Sequence, residues 1–149
     1  MRARSISGCR FRAYKMNASI VGIGLDVVEM ERIAGVLDGS AGERFVARVL
    51  TARENELLQG MPAKRRAQFV AGRFALKEAV VKALGCGIGS AVGFHDIESL
   101  PDELGKPVCK LSDSALARLG LAGRTLRVHV AITHERTIAA ATAIIEKDE

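Results

Sequence analysis

The 149 residues include 22 Lys+Arg against 17 Asp+Glu, and they are 48% hydrophobic and 4% aromatic. That length suits one domain with a sizeable core, and the apolar content is too high for a disordered chain. No run of 18 apolar residues could span a bilayer. Cys9, Cys86 and Cys109 are odd in number and lack CxxC spacing, which excludes a disulfide scaffold and a Cys-built zinc site and points to a reducing, cytoplasmic setting.

The net charge is +5, with a pI near 9.4. Residues 1–18 contain Arg2, Arg4, Arg10, Arg12 and Lys15 and no acid. Removing those five leaves 17 basic residues against 17 acidic ones. The basicity therefore belongs to an 18-residue head rather than to a nucleic-acid-binding face. This head reads as an accessory leader, or as a start assigned too early with Met16 as the rival start. The expected domain is 19–149.

Ser19 to Val28 is β-branched and reads as a strand, its Gly22 and Gly24 marking a bulge or a close backbone approach. Met30, Ile33 and Leu37 fall at helical spacing up to Gly39, and Phe45, Val46, Val49 and Leu50 repeat the pattern over Glu43 to Leu50. Thr51-Ala-Arg-Glu54 is a capping-box pattern that opens a further short helix. Pro62 to Leu84 is the longest helical stretch, with Pro62 in its first turn and Gly85 just past its end. A loop at Gly85–Gly89, a strand over Phe94–Leu100, a turn at Gly105–Pro107 and a capped helix over Ser112–Leu119 follow. Leu126, Val128, Val130 and Ile132 alternate as a half-buried strand, and a turn at His134–Thr137 leads into a last strand, Ile138–Ile145. The class is α+β, with a mainly antiparallel sheet packed on one long and several short helices.

Asp26 ends an apolar strand, so its charge needs solvent, a partner or a cation, or it caps the next helix. Glu78 and Lys82 are four apart on one helix line. They form an exposed ion pair there unless the line, which also holds Phe74, is not a solvent face. Lys82 points toward a loop of three glycines, Gly85, Gly87 and Gly89, whose backbone amides could approach a phosphate. A helix C-terminus repels anions, so a phosphate there needs Arg73, Lys77 or Lys82. Gly22-Ile-Gly24 lacks the third glycine and the βαβ unit of a dinucleotide fingerprint. His134 by spacing is a turn histidine, and no His pair has zinc spacing. Asp26 and Glu78 together suit a hard cation, and Mg²⁺ works with few carboxylates, waters and substrate phosphates.

Taken together these stretches resemble the holo-acyl-carrier-protein synthases. Gly22-Ile-Gly24-Leu-Asp26-Val-Val-Glu29-Met-Glu-Arg32-Ile is similar to their opening motif, and Arg73-Phe-Ala-Leu-Lys77-Glu78-Ala-Val-Val-Lys82-Ala-Leu-Gly85 to their signature motif. Gly105-Lys106-Pro107 and Ile132-Thr133-His134-Glu135 match two further landmarks in order, so the resemblance covers 19–145. It implies the 4′-phosphopantetheinyl-transferase-like half-fold and an enzyme that moves phosphopantetheine from coenzyme A to a serine of apo acyl carrier protein for fatty acid synthesis. Adenosine 3′,5′-bisphosphate is released.

By position, the resemblance makes Asp26 and Glu78 the Mg²⁺ ligands. It makes Lys82 the cation that balances charge on the pyrophosphate. Glu78, or a water on the metal, takes the serine proton. Arg73, Lys77, Gly85, Gly87, Lys106, Pro107 and His134 line the coenzyme pocket, and Arg32 meets the acidic carrier protein, with Arg44 and Arg48 extending the docking patch. A chain of this length supplies half of a two-half site, so the resemblance also implies a homotrimer with sites between subunits. No nucleic acid or membrane is expected as a partner. Where the family has Ser-Ile-Ser-His, this chain has Ala131-Ile132-Thr133-His134, and Cys86 sits inside the glycine loop. Carrier domains of polyketide, peptide or large fatty-acid synthases are the alternative acceptors, and a binding module tethered by its basic head is the non-enzymatic rival.

Overall fold

The computed structural model describes residues 18–148. The basic head expected at 1–18 thus lies outside the described residues, except that Ala18 already belongs to the first strand. In chain order the elements are β1 (Ala18–Glu29), α1 (Met30–Asp38), α2 (Gly42–Val49), α3 (Ala52–Leu58) and α4 (Ala63–Leu84). There follow a 3₁₀ turn (Phe94–Asp96), β2 (Ile97–Pro101), β3 (Pro107–Leu111), α5 (Asp113–Arg118), β4 (Leu126–His134) and β5 (Ile138–Asp148). The five strands form one sheet in the order β1-β5-β4-β3-β2, with every neighbouring pair antiparallel. Among the described residues no helix is long and apolar enough to cross a membrane.

The long helix α4 lies across β1 and β5, and the reason is in the residues of the contact. Strand alternation turns Gly22, Gly24 and Val28 toward α4. A Cβ at Gly22 would land on the carbonyl of Ala83, and one at Gly24 on the carbonyl of Ala79. On the helix side Ala75, Ala79 and Ala83 are buried, and across the sheet Ala139, Ala141, Ala143 and Ile145 are buried. Small residues on both surfaces let the backbones pack flush. The register of β1 against β5 shifts between Ile20 and Gly22, so both readings of the glycine pair, bulge and close approach, are borne out.

Helix ends follow local chemistry. Thr51 and Glu54 make the capping box: the Thr51 hydroxyl accepts from the Glu54 amide at 3.2 Å, and the Thr51 amide donates to Glu54 at 2.8 Å. α4 stops at Gly85, whose φ of 78° is open to glycine at little cost. Pro62 precedes the helix as its cap rather than entering its first turn. Two further boundaries differ from expectation. Phe94–Asp96 is a 3₁₀ turn, because Asp96 folds back on the Gly93 amide at 2.8 Å. Residues 107–111 form β3, paired to β2 from Ile97↔Leu111 to Pro101↔Pro107.

The face of β1 away from α4 is apolar and open. Ile23, Leu25 and Val27 are 67%, 55% and 54% exposed, and Ile144 lies opposite Ile23 on β5.

Candidate active site

Asp26 sits within β1, on the strand face that meets α4, and does not cap α1; Glu29 occupies that cap position. Because the glycines bring α4 down onto β1, Lys82 reaches over it. Its ammonium donates to Asp26 Oδ1 at 2.9 Å and to the Leu25 carbonyl at 3.0 Å. The i,i+4 pairing expected between Glu78 and Lys82 gives way to this cross-element bridge. Glu78 stands half-buried one turn earlier. Burial first, and the negative charge of Asp26 second, push its carboxyl up from the usual range, while Lys82 partly opposes them. Glu78 thus feels the charge of Asp26. Among the described residues no group of three or more His, Cys, Asp or Glu side chains converges as a metal site.

Glu78 opens into a cleft of about 520 Å³ lined by Arg32, Ile33 and Val36 of α1, Phe45 and Arg48 of α2, Phe74 of α4, Ile88 and Phe94. The Phe74 ring packs between Phe45 and Phe94, with centroids 6.0 and 5.6 Å away, and the Arg48 guanidinium lies 5.8 Å from the Phe94 ring centre. The line Phe74–Glu78–Lys82 is therefore not a solvent face. Arg32 and Arg48 share this cleft with Glu78. Arg44, one turn before Arg48, is exposed and does not line it. The loop with Gly85 and Gly87 borders the same region through Ile88.

A second, separate cleft of about 290 Å³ holds Arg65, Gln68, Phe69, Arg73, Pro107 and His134. The Arg73 guanidinium lies over the Phe69 ring at 4.5 Å, and its Nε donates to the Ser99 carbonyl at 3.1 Å. Burial lowers the Arg73 pKa, and the charge of Glu54 opposes this. His134 ends β4 at the rim, and Lys106 is exposed between Gly105 and Pro107, both of which line the cleft. Arg65 and Gln68 went unnoticed in the sequence, because an N-terminal helix turn rich in polar residues looks like an ordinary solvated face.

Lys77 is corrected. The resemblance placed it in the coenzyme pocket, but its side chain is fully buried and its three donors are used. They go to the Val49 carbonyl at 2.6 Å, Glu54 Oε2 at 2.7 Å and the Phe94 carbonyl at 3.0 Å. No donor is left for a phosphate. Helical geometry explains this: Lys77 is about 100° around α4 from Glu78 and so points into the core.

The predicted residues therefore gather in two groups on different sides of α4. Asp26, Glu78, Lys82, Arg32 and Arg48 form one; Arg73, Pro107 and His134, with Lys106 beside them, form the other. A larger groove of about 710 Å³, between α1 and the start of α4, was not anticipated and touches neither carboxylate.

An antiparallel sheet under one long helix thus carries a carboxylate pair and a lysine on one side of the helix and an arginine–histidine cleft on the other. The family model described as the 4′-phosphopantetheinyl transferase superfamily matches residues 22–141. A holo-[acyl-carrier-protein] synthase of Geobacillus kaustophilus is 48% identical over 128 residues, spanning 86% of this chain and 90% of that protein. The crystal structure of a holo-(acyl-carrier-protein) synthase from Bacillus anthracis, in complex with CoA (3′,5′-ADP), is 38% identical with a TM-score of 0.71, covering 85% of this chain and 96% of that one. The Neisseria meningitidis holo-[acyl-carrier-protein] synthase gives 33% identity and a TM-score of 0.76, covering 87% and 100%. This chain belongs to the 4′-phosphopantetheinyl transferase superfamily.

Proposed function

We propose that this enzyme transfers 4′-phosphopantetheine from coenzyme A to a serine hydroxyl of an apo acyl carrier protein, releasing adenosine 3′,5′-bisphosphate, in support of cytoplasmic fatty acid synthesis. The observation that carries the reading is the Asp26–Lys82 bridge beside Glu78, whose carboxyl opens into a cleft walled by Arg32 and Arg48. The names of the similar proteins, and the coenzyme in the Bacillus anthracis complex, support it.

The donor chemistry fits Mg²⁺. Two carboxylates, one of them within reach of the other's charge, with no third acidic ligand among the described residues, leave room for substrate phosphate and water. Bound there, the ion would neutralise pyrophosphate charge. Asp26 and Glu78 would hold it. Glu78, or a water held beside it, would accept the serine proton as the serine oxygen attacks phosphorus. The bond from phosphorus to the bridging pyrophosphate oxygen breaks, and its electron pair leaves with adenosine 3′,5′-bisphosphate. Lys82 stands where that charge develops. Arg32 and Arg48, at the cleft rim, would meet an acidic carrier helix and raise its encounter rate more than its affinity.

The Glu78 cleft and the Arg73–His134 cleft have no lining residue in common, and in this reading a second chain brings them together. The open apolar strip of Ile23, Leu25, Val27 and Ile144 gives a second copy something to bury. A homotrimer, with the Glu78 side of one subunit facing the Arg73 side of the next, satisfies both facts. To test the activity, the enzyme is mixed with apo acyl carrier protein, coenzyme A and Mg²⁺, and the carrier is weighed by mass spectrometry. A gain of one phosphopantetheine that EDTA abolishes supports the reading. An unchanged mass with folded enzyme, across several carriers, refutes it.

A further inference from the structure

A fully buried lysine is expensive, and a single carboxylate would suffice to balance its charge. Lys77 instead fills all three donor positions with groups from three different elements. The Val49 carbonyl ends α2, the helix that carries Phe45 and Arg48. The Phe94 carbonyl belongs to the 3₁₀ turn whose ring faces Glu78's cleft. Glu54 ties in α3, and through the Ser99 amide at 2.9 Å it ties in β2. Lys77 itself immediately precedes Glu78 on α4. Two walls of the 520 Å³ cleft, α2 and the Phe94 turn, therefore meet at one ammonium group on the helix that carries Glu78.

We infer that Lys77 is a positioning residue: its ammonium sets the placement of α2 and the Phe94 turn around Glu78, and so fixes the shape of the acceptor cleft. The inference rests on the phosphopantetheinyl-transfer reading of that cleft. An ion pair alone would need neither carbonyl. A displacement of about 1 Å in a reacting group is enough to cost about 10²-fold in rate.

The test uses the full chain with Glu54→Gln and Lys77→Met combined, which removes the buried charges together. Ile145→Ala, a core side chain on β5, is a control for lost stability. Two quantities are read on each: amide hydrogen exchange and steady-state transfer kinetics. In the double variant, exchange should quicken over residues 42–49 and 93–97 while β1 and β5 stay protected. Its turnover should fall about 100-fold, with the KM for coenzyme A within about threefold of wild type. Ile145→Ala should keep its turnover within about twofold. Wild-type exchange over both segments, or turnover within about threefold of wild type, would overturn the inference. If the double variant does not fold, Lys77→Gln, which keeps two of the three donors but no charge, is read by the same criteria. If the wild-type enzyme transfers nothing, the proposed function fails, and the exchange measurement alone still decides whether Lys77 holds these walls.

Discussion

Lys77 and Lys82 are five residues apart on the same helix, and each lies within 3 Å of a carboxylate. The first is fully buried, and its donors are all used by the protein. The second is 52% exposed and bridges one carboxylate and one carbonyl. The same residue type in the same motif thus serves opposite purposes. A charge whose bonding capacity is filled from within is architecture; one left partly open is available to a ligand.

Removing the closed pair's cation should have the largest effect on stability. Lys77→Met leaves Glu54 buried without its counter-charge, and it should lower unfolding free energy by about 3–5 kcal/mol in a denaturant titration. Removing a carboxylate at the open pair should leave the melting temperature within a few degrees of wild type and strike turnover instead. Glu78→Ala is expected to lower kcat by about 10³-fold, or about 4 kcal/mol of barrier. If Glu78→Ala mainly unfolds the protein, or Lys77→Met leaves stability untouched, the contrast between the two faces is wrong.

The contact that carries both faces is tested by Gly24→Ala. Its methyl group would collide with the Ala79 carbonyl, so α4 must lift from β1. The variant should lose about 1–3 kcal/mol of stability. Its kcat should fall further than that loss alone explains, because Asp26 moves away from Lys82 and Glu78.

The smallest effect concerns another carboxylate, Asp96 of the 3₁₀ turn. Burial alone pushes the Asp96 carboxyl up, but hydrogen bonds from Ser112, Gly93 and Arg118, with Arg118's charge, together hold it below its usual 3.8. A folded-state pKa below the unfolded one stabilises the protein above the unfolded value, and that contribution is lost as pH falls through the folded one. The melting-temperature gap between wild type and Asp96→Asn should therefore be full at pH 7 and shrink below about pH 4. A gap that is constant with pH would contradict the bonding described.

Much of this was legible in the sequence, and for local reasons. The Thr51–Glu54 box and the Gly85 stop depend on a few adjacent residues, so the pattern carries them. The β-branched run with two glycines marked β1, and the structure brings Glu78 within range of the charge of Asp26. What stayed hidden depends on distant partners. Five-residue β3 carries little periodicity, and it exists because β2 and β4 offer it edges. The role of Lys77 is set by Val49, Glu54 and Phe94, residues 17 to 28 positions away. The division of the candidate site between two sides of α4 follows from helix rotation between Arg73 and Glu78, which a list of motif residues does not show.

The central claim is that two incomplete faces of one chain make a whole site with a second copy. The most direct measurement mixes two variants after subunit exchange. One is Glu78→Ala, and the other carries Lys106→Ala with His134→Ala. Each alone should be nearly inactive. An equal mixture should recover about a quarter of wild-type turnover, since one interface in four then pairs an intact Glu78 face with an intact His134 face. No recovery, with exchange confirmed by native mass spectrometry, would contradict a site shared between subunits.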